Sequence, residues 1–200
     1  MALSQEQRLN MKRRRENIRD SAIALFASEG YEGTTIKKIA EAAGVSFGNV
    51  FTYFEDKQQL FFASVVEPLE AFSEQILDFN PDAADPIGEL EKTIGEHVSL
   101  FSRFQSYLTL VVQVIGQPHR FPEPFKQLDQ FHDRLRNKIC KLIMNGQNKG
   151  VLINQKPMPV ATLYTSLLIG IRLNSTDTRY SEMWEQHISP VLQLFGPIKK

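Results

Sequence analysis

Two hundred residues, 42% hydrophobic and 23% charged, make one large domain or two small ones and can bury a core without disulfides or metal. Lys and Arg balance Asp and Glu at 23 each, which excludes a protein that coats nucleic acid by bulk charge. Cys140 is the only cysteine, so an intrachain disulfide framework and a multi-cysteine zinc site are excluded too. Residues 1–10 lack the apolar core of a secretory signal. The longest uncharged apolar-rich stretch, 157–171, has 15 residues, and a membrane span needs about 20. The expectation is a soluble, cytoplasmic chain without a membrane partner.

Helical periodicity runs through the sequence and strand alternation is almost absent, so an all-α fold of about nine helices is expected. Ile18, Ala22, Leu25 and Phe26 form an apolar stripe that Gly30 closes. Thr34 and Thr35 offer N-caps for a short second helix. Its buried face is Ile36, Ile39, Ala40 and Ala43, and Gly44 ends it. Ser46 caps a third helix over 47–54. Asp56 caps a long fourth helix with Leu60, Phe61, Val65, Leu69, Phe72 and Ile76 inward. A loop over 80–86 precedes helices over 87–101 and 107–115. Phe121, Phe125, Leu128, Phe131, Leu135, Ile139 and Leu142 then step by three or four along one long helix. A loop over 150–159, a helix over 159–173, a polar break at 174–178 and a helix over 181–195 complete the chain.

Charge is uneven along this series. Arg8, Lys12, Arg13, Arg14, Arg15 and Arg19 crowd the start of the first helix, opposed there by Glu16. Residues 58–90 hold no Lys or Arg and seven acids. Arg13, Arg14 and Arg15 read equally as a solvated, frayed terminus or as a phosphate or minor-groove contact. The acidic neck reads as a solvated helix face.

Residues 36–54 fit a helix-turn-helix. Two short helices that cross closely need a small residue at the crossing, and Ala40 supplies it. The turn needs φ > 0, which glycine adopts at least cost, and Gly44 lies four residues on. Val50 returns a branched side chain to the first helix, with Ile39 and Val45 filling the remaining inner slots. Such a unit places its second helix in the major groove. Its outward positions are Phe47, Gly48, Asn49 and Thr52. Asn49 suits an adenine edge, Phe47 a thymine methyl, and Gly48 lets the backbone approach. Tyr53 and Lys57 reach towards phosphates, as do Thr35, Lys37 and Ser46 at the helix starts.

Ala22, Leu25, Phe26, Gly30, Tyr31, Thr34, Thr35, Ile39, Ala40, Ala43, Gly44, Val45, Ser46, Gly48, Tyr53, Phe54, Lys57 and Leu60 together resemble the N-terminal domain of TetR-family transcriptional regulators. The resemblance covers about a quarter of the chain. It implies a three-helix DNA-binding head over 1–56 and a six-helix ligand-binding and dimerising body over 57–200. It also implies repression of a palindromic operator, relieved by a small-molecule effector. Phe51 departs from the family by replacing a tyrosine, Lys38 by replacing an acid that closes a capping box, and Asp56 by replacing a serine.

An effector pocket in such a body is largely apolar with a few polar groups. Phe104, Tyr107, Gln113, His119, Phe125, His132 and Tyr164 are the expected lining. The last two helices are apolar on more than one face, which suits a two-fold dimer through a four-helix bundle. Val160, Leu163, Leu167, Ile171, Trp184, Ile188, Val191 and Phe195 are expected near that interface. His97, His119, His132 and His187 show no ligand spacing, so no metal is expected. Cys140 reads as a buried, inert thiol. No nucleophile elbow, phosphate loop or Gly-rich fingerprint is present, so neither an enzyme nor a cofactor is expected. A regulator without a small effector, with a filled body, is the alternative. A helical binding protein or enzyme with a non-functional head is the other.

Overall fold

The structure, a computed structural model, describes residues 4–174 and 186–198, without the side chains of 102 and 171–174. Its first helix, α1 (Gln5–Gly33), starts at a reciprocal cap. The Ser4 hydroxyl accepts the Gln7 N–H, and the Gln7 side chain accepts the Ser4 N–H. Gly30 leaves the helical region at φ +73°. The Thr34 hydroxyl then donates to the Gly30 carbonyl at 2.8 Å. Thr34 is therefore buried and ties off α1, contrary to its expected N-cap role; Thr35 alone caps α2 (Ile36–Ala42), by accepting the Lys38 N–H.

Gly44 sits at φ +65° and lets the Val45 N–H return to the Ala40 carbonyl at 3.0 Å. Ser46 caps α3 (Phe47–Phe51) through the Asn49 N–H. This helix stops three residues short of expectation. The N–H groups of Tyr53 and Phe54 both converge on the Val50 carbonyl, and the Phe54 ring drops into the core. Asp56 then caps α4 (Lys57–Ile76) through the Gln59 N–H at 2.7 Å. Ile18, Phe26, Ile39, Val50 and Leu60 are fully buried and bind α1 to α4 into one unit.

Among the described residues five more helices follow: α5 (Pro86–Arg103), α6 (Gln105–Ile115), α7 (Pro122–Asn148), α8 (Pro157–Asn174) and α9 (Ile188–Gln193). Pro86 and Pro157 start α5 and α8 slightly earlier than periodicity suggests. Proline suits a first helical turn, where an N–H has no partner anyway. The last helix was expected over 181–195; within the described residues it is helical only over Ile188–Gln193. One antiparallel bridge corrects the strandless expectation. Leu152 pairs with Pro197, with Ile153 N–H to Gly196 O and Ile198 N–H to Val151 O, each 2.9 Å. It clips the chain after α9 to the end of α7.

α7 packs along α8, and α1 packs on α4 and α6. The Gln113 amide on α6 donates to the Ala27 carbonyl on α1 at 3.0 Å. Among the described residues, no single helix is long and apolar enough to cross a membrane.

Candidate functional site

The outward face of α3 carries little that is polar. Phe47 and Phe51 lie one turn apart and meet edge to face, with ring centroids 5.2 Å apart. Both are exposed, at 56% and 44%. Gly48 and Thr52 are exposed beside them, and Asn49 is half-buried. Ser46 and Thr35 spend their side-chain oxygens on capping bonds. Lys37 is exposed on α2, where Glu41 lies one turn on at 4.0 Å. Tyr53 is half-buried at the far end of the unit.

Four cations, Arg15, Arg19, Lys38 and Lys57, hold partners within the protein. Arg15 grips Glu67 of α4 with both terminal nitrogens, at 2.8 and 2.5 Å, and lies over the Phe54 ring at 4.7 Å. Arg19 reaches the same carboxylate at 3.2 Å. Burial pushes the Glu67 carboxyl up, but the two guanidiniums outweigh it and hold it below the usual range. The same hydrogen bond raises the Arg15 pKa. Lys57 donates to the Thr34 carbonyl at 3.0 Å and lies over the Tyr31 ring at 4.2 Å. Its ammonium therefore faces the protein, against the expected reach to phosphate. Lys38 binds Glu29 at 2.5 Å and the Gly33 carbonyl, while the Thr35 cap beside it stays intact.

A partly open cavity of about 470 Å³ lies among α4 to α8. Leu69, Phe72 and Ile76 of α4 form one wall, and Leu100, Phe101, Phe104, Tyr107, Leu108, Val111 and Ile115 form the next. Phe125, Leu128, Phe131 and Leu135 of α7 and Leu168 and Ile169 of α8 close it. Asp129, His132, Thr165 and Ser166 supply its polar groups. The Thr165 hydroxyl donates to the Thr162 carbonyl, so His132 Nε2 donates to Thr165 Oγ1 at 2.6 Å. Burial and the nearby Arg136 lower the His132 pKa, which favours the neutral ring. The Tyr107 hydroxyl is spent on the Val65 carbonyl at 2.8 Å. That bond lands next to Pro68, whose missing N–H leaves the Ser64 carbonyl without a helical donor.

Residues 18–64 match the family model of the bacterial regulatory proteins of the tetR family. Over this segment the chain is similar to that family's N-terminal domain. It is 37% identical over 65 residues to the transcriptional repressor AcnR of Corynebacterium diphtheriae, covering 32% of this chain and 34% of the relative. It is 27% identical over 126 residues to the fatty acid metabolism regulator protein of Bacillus subtilis, covering 63% and 58%. The matches thus span between about a third and three fifths of those relatives' length. The crystal structure of AibR in complex with isovaleryl coenzyme A and operator DNA superposes with a TM-score of 0.71. That match has 22% identity, covers 92% of this chain and all of AibR, and shows the same fold.

Four of the seven residues expected at a pocket line the cavity: Phe104, Tyr107, Phe125 and His132. Three do not. Gln113 bridges α6 to α1, and His119 is exposed in the turn before α7. Tyr164 is fully buried and donates its hydroxyl to His97 Nδ1 at 2.7 Å. His97 Nε2 donates to the Ile76 carbonyl at 2.7 Å, and burial lowers its pKa to about 4. Leu69, Phe72, Phe101, Leu128 and Phe131 read as core but face the cavity. The one sequence signal for it was polar: Thr165 and Ser166 interrupt the apolar stripe of α8, and Asp129 and His132 share the cavity face of α7.

The residues expected near a dimer interface differ in burial within the protomer. Val160, Val191 and Phe195 are buried inside the protomer, and the Phe195 ring packs 5.3 Å from Tyr164. Leu167 and Ile188 are half-buried. Leu163 is 56% exposed, with Met158 also exposed on α8 and Met144 on α7. The Ile171 side chain and all of Trp184 lie outside the described residues. Among the described residues, no cluster of three or more His, Cys, Asp or Glu could hold a metal ion. Cys140 is buried, with its thiol 3.8 Å from the Met158 sulfur, and burial raises its pKa. The acidic neck is partly structural. Glu67 holds two arginines, Asp85 caps α5, and Glu89 accepts the Asn80 N–H.

Proposed function

We propose that this chain is a dimeric, sequence-specific DNA-binding repressor in the cytoplasm, released from a palindromic operator by a small-molecule effector. Residues 1–56 act as the DNA-binding head and residues 57–200 as the effector-binding and dimerising body. The observation that carries this reading is the reach of α4. Its cap, Asp56, follows α3 by five residues, and its far half supplies Leu69, Phe72 and Ile76 to the cavity. An effector between α4 and α7 therefore acts on the helix that carries the head. It needs to favour the DNA-incompetent arrangement by only about 1–3 kcal/mol.

The outward face of α3 enters the major groove through Phe47, Gly48, Asn49 and Thr52. Lys37 and Tyr53 approach the flanking phosphates, with the capped helix starts at Thr35 and Ser46. The exposed arm residues Arg13 and Arg14 add charge beside the site, and Lys57 joins only if it leaves Thr34. The cavity lining contains Asp129 and no lysine or arginine, which favours an apolar effector with a neutral or cationic polar end. The AibR complex is the precedent for an effector and operator DNA on one fold. A filled body would have favoured regulation without an effector; the cavity favours the effector. Leu163 and Met158 supply the exposed apolar surface for a partner's α8.

The test is selection of bound fragments from random duplex DNA by the full chain and by Asn49→Ala. The reading predicts an enriched palindrome for the wild type that weakens or changes in the variant. Salt-sensitive binding without any enriched sequence, equal in both proteins, would overturn it.

A further inference from the structure

The face that α3 offers to DNA is apolar. The helix contains no charged residue, Val50 is buried, and Gly48 has no side chain. What remains outward is two phenylalanines with Asn49 and Thr52 beside them. Exposed pairs of large aromatic side chains are costly to leave in water. The head has no structural use for these two: neither belongs to its core cluster, and each packs on the other. Exposed cations lie on other helices, Lys37 on α2 and Lys12, Arg13 and Arg14 on α1.

We infer that Phe47 and Phe51 read thymine methyl groups in the major groove, and that this apolar contact sets much of the operator preference. The inference rests on the DNA-binding reading above. The 5-methyl of thymine is the apolar feature that distinguishes a base pair in that groove. The two rings stand 5.2 Å apart, between one and two base steps of about 3.4 Å. Each half-site therefore holds two thymines, neighbouring or separated by one base. Asn49 adds an adenine contact, since its amide matches N6 and N7 of that base.

Two random duplex pools test this, one copied with thymidine triphosphate and one with deoxyuridine triphosphate, which lacks only the methyl. The wild-type chain should enrich a motif with two closely spaced thymines per half-site from the thymine pool. Replacing one of those thymines by uracil in the enriched duplex should weaken binding about fourfold, the worth of one buried methyl. Phe47→Ala and Phe51→Ala should each bind the thymine and uracil forms equally at one of the two positions. The base substitution alone, with the unaltered protein, keeps the test independent of how the variants fold. Equal affinity of the wild type for thymine and uracil forms of an enriched motif would overturn the inference and leave the DNA-binding reading standing. No enriched motif from either pool would overturn that reading itself, and the inference with it.

Discussion

Arg15 on α1 and Glu67 on α4 are 52 residues apart in sequence and joined by a two-pronged ion pair. Arg19 closes the same carboxylate from one turn further along α1. Leu69, two residues after Glu67, is already a wall of the cavity. One short stretch of α4 thus meets α1 on one side and the cavity on the other. Glu67→Gln should lower stability by about 1–2 kcal/mol in urea unfolding. The pair is partly solvated, which holds the loss below that of a fully buried pair. It should also alter how strongly any cavity ligand changes DNA affinity. Because the Glu67 pKa lies below its ordinary value, its contribution is present above the unfolded pKa and lost as pH falls through the folded one.

His97 gives a second acid limit at a milder pH. It is buried between Tyr164 and the Ile76 carbonyl, and its pKa falls from the ordinary 6.5 to about 4. The folded state therefore binds its proton less readily than the unfolded state. The stability it contributes is complete above pH 6.5 and is lost as pH falls from there towards 4, by about 3 kcal/mol in all. Thermal unfolding between pH 7 and 4 should show this slope, and His97→Gln should flatten it.

The cavity makes an opposite prediction for an overpacked residue. Leu128 lies on the cavity face of α7. Leu128→Trp should fill part of the space, leave the far-ultraviolet circular dichroism unchanged, and reduce binding of the neutral dye Nile red at least tenfold. A change of stability within about 2 kcal/mol is expected, since the added volume enters a void.

Much of the head was legible in the sequence because its signals are local. Thr35, Ser46 and Asp56 each cap the helix that follows, and Ala40, Gly44 and Val50 fix the turn through contacts within ten residues. The cavity was harder to read for a physical reason. Core, cavity wall and partner surface all ask for the same apolar stripe at the same spacing. Phe131 and Phe195 belong to similar patterns, yet one lines the cavity and the other fills the core. Long-range polar choices were hidden as well. Nothing near Arg15 in sequence marks Glu67 as its partner, so a run of arginines read as one arm is in fact divided between solvent and protein.

The proposed dimer rests on what α8 leaves exposed. Leu163 is its most exposed large apolar side chain among the described residues. Leu163→Glu should convert a dimer to monomer at micromolar concentration in sedimentation velocity, because a charge would be buried without a partner. Val160→Ala should mainly reduce stability, since Val160 is buried within the protomer.

Sequence-specific recognition by the α2–α3 unit can be measured in an anisotropy titration. The labelled duplexes are the palindrome enriched by selection and a shuffled duplex of the same composition, at one fixed salt concentration. The account predicts at least about a thousandfold preference for the palindrome, two protomers bound per duplex, and loss of most of that preference in Asn49→Ala. Equal affinity for the two duplexes, with the same salt dependence in both proteins, would contradict it.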